Sequence, residues 1–82
     1  MRIFMQTTPE PGKAPRFYQL ILHQDLLGGW SLIRQWGQTG SRATARREHY
    51  ADLTQAQEAL QHHRAIQVNK GFRVMFVQGS EH

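Results

Sequence analysis

The seven residues RQWGQTG, positions 34–40, hold the side chains of this sequence best suited to chemistry. Arg34 carries a planar fork that binds the oxygens of a phosphate or carboxylate in pairs. Trp36 offers a flat surface on which a base or sugar can stack, a contact worth about 1–3 kcal/mol per base. Alternation along a strand sends Arg34 and Trp36 to the same face. Gly37 and Gly40 enclose Gln38 and Thr39 and predict a turn whose backbone N–H groups lie open to a phosphate or ribose oxygen. Such a turn would put Trp36 near the rim of a sheet. Three further arginines, Arg42, Arg46 and Arg47, follow at once. Across a hairpin, Arg42 or Arg46 comes near Arg34, and like charges side by side repel. Binding an anion is one reason to keep such a cluster. The competing reading makes Trp36 a core residue and lets Glu48 and Asp52 offset the arginines.

Other chemistries have less support. His62 and His63 are adjacent, so on a helix they point about 100° apart and do not converge on one ion. The acids Glu10, Asp25, Glu48, Asp52, Glu58 and Glu81 form no obvious pair for acid–base work. There is no cysteine nucleophile, no G-x-S-x-G and no phosphate loop. The sequence therefore predicts no enzyme, no metal site and no cofactor.

The chain as a whole sets the frame. Its 82 residues predict a single domain, 1–82. A domain of this size buries only about 60–65% of the surface its unfolded chain exposes, so its core is thin. Without cysteine it has neither disulfides nor a thiolate zinc site. A reducing, cytoplasmic setting is the natural default. The longest apolar runs fall far short of the ~18–20 residues that span a bilayer. The start, MRIFMQTTP, is too polar for a signal peptide. Ten Lys and Arg against six Asp and Glu give a net charge of +4. Most of the basic residues are arginines, which suits phosphates or nucleic acid; the plainer effect of such a charge is solubility.

Among the elements that position these residues, MRIFMQTT reads as a short edge strand or an arm. PEPGKAP, residues 9–15, holds three prolines and is a loop. Residues 1–15 are thus an N-terminal arm and Pro-rich loop, and residues 16–78 the core. RFYQLILHQ, 16–24, is a strand with Tyr18, Leu20 and Leu22 on one face. DLLGG supplies a hairpin turn. WSLIRQW, 30–36, is a strand with Trp30, Leu32, Arg34 and Trp36 on one face. SRATARREHY, 41–50, is a polar third strand. Thr54 followed by Gln57 matches a capping box. Ala56, Ala59, Leu60, His63 and Ile66 then recur at helical spacing. Lys70-Gly71 stops the helix, and FRVMFVQ, 72–78, is the last strand. The fold class is α+β: a four- to five-stranded antiparallel sheet with one α-helix packed on one face. The uncovered face is expected to offer arginines and aromatics.

Taken together, these segments resemble the WGR domain, a module named for a Trp-Gly-Arg signature. FYQLIL resembles its first strand. GGWSLIRQWGQTG resembles its glycine turn, second strand and signature turn. LTQAQEAL followed by NKGF resembles its helix and the glycine-aromatic step beyond it. The likeness covers residues 16–73. It implies a small antiparallel sheet with one helix, and nucleic-acid binding. In poly(ADP-ribose) polymerases such domains contact DNA at strand breaks; others occur in bacterial proteins. The family tryptophan matches Trp36 and its glycine matches Gly37. The arginine position holds Gln38, which can hydrogen-bond but carries no charge.

The expected function is a non-catalytic module, bacterial and cytoplasmic, that binds nucleic acid without reading its sequence. The expected contacts are Arg34, Trp36, Gly37, Gln38, Arg42, Arg46 and Arg47, with DNA favoured over RNA. The alternative is a protein-interaction module docking on a partner enzyme through Trp30 and Trp36. No membrane partner is expected, and a monomer is.

Overall fold

The structure, a computed structural model, describes residues 1–79; the last three residues of the predicted domain lie outside the described residues. Five strands and one helix follow in the order β1 (Arg2–Gln6), β2 (Arg16–Gln24), β3 (Trp30–Gln38), β4 (Thr44–Tyr50), α1 (Leu53–Asn69) and β5 (Arg73–Gln78). The strands form one antiparallel sheet in the order β4-β3-β2-β1-β5. The expected α+β class, with its single helix, is therefore what the chain adopts.

Register follows the alternation of apolar residues. Tyr18 lies opposite Trp36, Leu20 opposite Arg34 and Leu22 opposite Leu32. Directly opposed residues share a face, so the apolar face of β2 meets that of β3. On the other side of β2, Ile3 pairs with Leu20 and Met5 with Tyr18. Ile3, Met5, Leu20, Leu22 and Leu32 then form a buried sheet face under Ala56 and Leu60 of α1, with Phe72 completing the core.

The N-terminal segment departs from expectation. It is neither an arm nor an edge strand, for β1 lies between β2 and β5. Ile3 and Met5 are almost wholly buried, so the core begins well before residue 16. The physical reason is the spacing of those two side chains, which gives even a five-residue strand an apolar face. The Met1 amino group adds a hydrogen bond to the Leu22 carbonyl at 2.9 Å.

The helix start is also corrected. Asp52 is the N-cap, and its carboxylate accepts from the Gln55 N–H at 2.8 Å. Thr54 already lies inside the first turn. At the other end, the Phe72 N–H reaches the Gln67 carbonyl and the Gly71 N–H that of Val68, both at 3.0 Å. These crossed bonds make a Schellman cap. They turn the chain back sharply enough to bring Phe72 beside Gln67.

The turn expected at residues 37–40 begins two residues later, at Thr39. β3 runs on through Gly37 and Gln38, which pair with Phe17 and Arg16. Gly37 serves close approach instead: a Cβ there would stand 3.2 Å from the Arg42 carbonyl oxygen and 3.3 Å from the Ala43 Cα. Residues 41–43, expected in a strand, form the connection that approaches Gly37, and β4 starts at Thr44. The β2–β3 hairpin matches expectation, with Gly28 and Gly29 at φ 94° and 84°. Among the described residues no helix is long and apolar enough to cross a membrane.

Candidate functional site

The register carries Arg34 and Trp36 onto the helix-covered face, not the open one. Trp36 is partly buried and stacks on Tyr18, with ring centroids 5.7 Å apart and planes 13° from parallel. Tyr18 therefore occupies one face of the indole. The Arg34 guanidinium carbon lies 5.5 Å from the indole centroid. One Arg34 nitrogen donates to the Tyr18 hydroxyl at 3.3 Å, and the other terminal nitrogen pairs with Glu48 at 3.5 Å. Its Nε is buried and finds no partner among the described residues. The Tyr18 hydroxyl first, and Glu48 after it, hold this guanidinium above its already high range in spite of burial. Arg34 is thus a cation held in place by Tyr18 and Glu48.

These groups open onto a cleft of about 280 Å³ between the sheet and the C-terminal end of α1. It is lined by Arg16, Tyr18, Arg34, Trp36, Gln67, Lys70 and Phe72. Arg16, Arg34 and Lys70 supply positive charge, and no acid is in the lining. Arg16 lies over the Phe72 ring at 5.7 Å. The Schellman cap places Lys70 and Phe72, while β2 places Arg16 and Tyr18. The volume is just below the roughly 300–1,000 Å³ usual for whole small molecules. Its size and charge suit one anionic group of a longer ligand.

The expected site residues do not all gather there. Arg46 lies opposite Arg34 across the β3–β4 pair, on the same face and exposed. Arg47 points to the opposite face, beside Ile33 in register. Arg42 is exposed on the connection before β4. Gln38 ends β3 and donates to the Ala14 carbonyl at 3.3 Å, tying the signature turn to the Pro-rich loop. Gly37 contributes space. Arg16, Tyr18, Gln67, Lys70 and Phe72 were missed as site residues. Hairpin register was the available signal for the first two: pairing Trp36 with Tyr18 carries Arg16 to the same face.

Glu48 is the counter-charge. Besides Arg34 it takes the Tyr50 hydroxyl at 3.4 Å and faces His63 Nε2 at 3.5 Å. Burial first, and Arg34 second, push His63 below the usual histidine range. Asp52, the other acid expected to offset the arginines, caps α1 instead. At the far end of the sheet, Asp25 accepts from the Ser31 hydroxyl and meets His49 Nδ1, both at 2.6 Å. The Ser31 hydrogen bond first, and His49 after it, hold the Asp25 carboxyl below its ordinary range. Ser31 is buried and bonded to the carboxylate rather than to an imidazole, so this is a brace for the hairpin and not a nucleophile. Among the described residues no group of three or more His, Asp or Glu could hold a metal ion.

With this geometry in hand, the family model described as WGR domain matches residues 1–75 of the chain. No curated protein and no solved structure matches it.

Proposed function

We propose, from the premise that this chain belongs to the WGR domain family, that it is a non-catalytic module which grips the sugar–phosphate backbone of nucleic acid. The observation that carries the reading is the convergence of Arg16, Arg34 and Lys70 on one cleft with aromatic walls and no acid. A phosphate seated there would meet three cations. The exposed part of Trp36, which is only partly buried, would lie against the adjoining sugar or base. Arg46 and Arg42 extend the positive surface beyond the cleft. Contacts of this type position a backbone without reading sequence. DNA is the favoured form, with binding at ends and nicks.

The test is fluorescence anisotropy of a labelled nicked or blunt-ended duplex, titrated at two salt concentrations. Arg34→Ala, Trp36→Ala and the exposed-site variants Arg16→Gln and Lys70→Gln are compared with the parent chain. Salt-sensitive binding that weakens in all four variants is expected. Absence of binding at low salt overturns the reading.

A second reading, docking on a protein, draws on Leu26 and Leu27, fully exposed at the β2–β3 hairpin tip. Trp30 and Trp36, the anchors first expected for it, pack against the core instead. In the same titration design, a partner protein held by the tip would show little salt dependence and would be lost on Leu26→Ser with Leu27→Ser.

A further inference from the structure

Most polar groups around the cleft are already committed. The backbone carbonyl of Gln67 accepts from the Lys70 N–H at 3.1 Å and from the Phe72 N–H at 3.0 Å, within the Schellman cap. The Arg34 guanidinium is held by the Tyr18 hydroxyl and Glu48. The Gln67 side chain is different. Helical spacing puts it on the same face of α1 as Ala56 and Leu60, and only 9% of the residue is exposed. An apolar side chain would suit that place, because an amide buried there costs free energy unless it finds a partner. The Gln67 amide makes no hydrogen bond among the described residues. The side-chain atoms that are wholly enclosed without a partner belong to Arg2 and Arg34, not to Gln67. Its amide therefore reaches the surface, and the surface it reaches is the cleft that Gln67 lines.

The rest of the lining gives that amide a distinct part. Arg16, Arg34, Lys70 and the Trp36 indole can only donate. The Tyr18 oxygen already accepts from Arg34 at 3.3 Å, and the Phe72 side chain has no polar atom. The Gln67 carbonyl oxygen is thus the one side-chain acceptor of the lining still to be met. Turned either way, the amide presents an acceptor beside a donor. A phosphodiester carries oxygens and no proton to give. It would satisfy the cations and the Gln67 NH2 group and leave Oε1 unmet.

We propose that Gln67 reads a sugar hydroxyl beside the bound phosphate, namely the 3′-hydroxyl that DNA exposes only at an end or a nick. The inference rests on the reading of the cleft as a grip for nucleic acid. Along a sugar–phosphate backbone a hydroxyl is the group able to donate a hydrogen bond, and the interior of a DNA strand has none. Gln67 accepts from that hydroxyl through Oε1 and donates through Nε2 to its oxygen or to a phosphate oxygen. An intact strand seated in the cleft would shield Oε1 from water without pairing it, which lowers affinity. Gln67 thereby gives the cleft a means to prefer breaks, whereas charge alone attracts every phosphate alike. The 2′-hydroxyl of a ribonucleotide offers the same chemistry away from an end.

The measurement is anisotropy of a labelled nicked duplex in two forms, alike except that the strand before the nick ends in a 3′-hydroxyl or in a 3′-deoxy sugar. The parent chain should bind the hydroxyl form about 3- to 10-fold tighter, the range of one neutral hydrogen bond. A neutral contact releases no counterion, so this ratio should hold at two salt concentrations while both affinities fall. Gln67→Met, similar in size and without the amide, should bring the two forms to one affinity, with circular dichroism showing a folded chain. Equal affinity of the parent chain for the two nicks overturns the proposal, whatever that variant does. A preference that survives in folded Gln67→Met overturns the part given to Gln67. Two unnicked duplexes, all DNA or with a single ribonucleotide, test the other source of a hydroxyl. Tighter binding to the ribonucleotide form, with no preference between the nicks, assigns the hydroxyl to RNA and overturns the strand-end reading. If no duplex binds at low salt, the cleft reading fails and this proposal falls with it. Salt-sensitive binding that weakens in Lys70→Gln but ignores the hydroxyl overturns this proposal alone.

Discussion

At the scale of single residues, the sequence around Trp36 misled about placement: Arg34 and Trp36 lie on the helix-covered face of the sheet. Trp36-Gly37 looked like the entrance to a turn because glycine commonly marks one. Here the glycine lets the Arg42–Ala43 backbone approach closely, which sequence spacing alone does not reveal. The glycines can be ranked on this ground. At Gly29, φ is 84° and a Cβ would lie 2.8 Å from the Tyr50 carbonyl oxygen. Gly29→Ala therefore combines backbone strain with a clash and should cost about 2–4 kcal/mol. Gly37→Ala meets only close backbone and should cost about 1–3 kcal/mol. Urea denaturation of both variants checks the order, and equal costs would refute the part given to φ. His63 supplies a pH prediction. Its protonated form is disfavoured in the folded chain by burial and Arg34, with Glu48 opposing and His62 adding to the effect. The unfolded chain thus binds the proton more readily. The neutral ring's contribution is complete above the ordinary histidine value of about 6.5 and is lost as pH falls through that value toward the folded one. The urea midpoint should drop between pH 7 and pH 5, and His63→Gln should reduce that drop. Asp25 acts in a lower window: its contribution is present above the ordinary carboxylate range and disappears as acid takes pH below it.

At the scale of elements, β2 and β3 were legible from alternation, α1 from its helical spacing, and β5 as a short run of β-forming residues after Gly71. The misplaced elements were those whose signal was short or shared. β1 has only two core side chains, Ile3 and Met5, and nothing in its own sequence says that β5 returns to its far side. The helix start was read at Thr54, whose spacing to Gln57 matches a capping box, but the cap is Asp52. Asp52→Ala removes the side chain that accepts from Gln55 N–H and should cost about 1 kcal/mol. Thr54→Ala lies within the first turn and should cost less. A thermal-melting comparison of the two distinguishes the caps, and a larger loss at Thr54 would restore the capping box. The cleft was only half visible for a related reason. Arg34 and Trp36 came from one strand, but Arg16 needed hairpin register. Lys70 and Phe72 needed the Schellman turn, which folds the end of α1 over the sheet.

At the scale of the whole molecule, the question is whether net charge or the cleft governs attraction to a polyanion. A net charge of +4 spread over the surface would draw nucleic acid weakly from any side. The arrangement is not even, however. Arg16, Arg34 and Lys70 meet at one cleft on the helix side of the sheet. Arg47 carries the same charge on the opposite face of the sheet. Salt dependence separates the two cases. Each phosphate contact made by a cation contributes about 0.9 to the slope of log affinity against log salt on duplex DNA. Arg16→Gln and Lys70→Gln should each lower the slope by nearly that amount, and together by about twice as much. Arg47→Ala changes the net charge equally but removes no cleft contact, so its slope should match the parent chain. Should Arg47→Ala reduce the slope as much as Lys70→Gln does, attraction would be a property of overall charge and the cleft would have no special part in it. Unequal slopes would tie binding to the face on which β2, β3 and the end of α1 meet, because only there do equal charges act through the same bound phosphate.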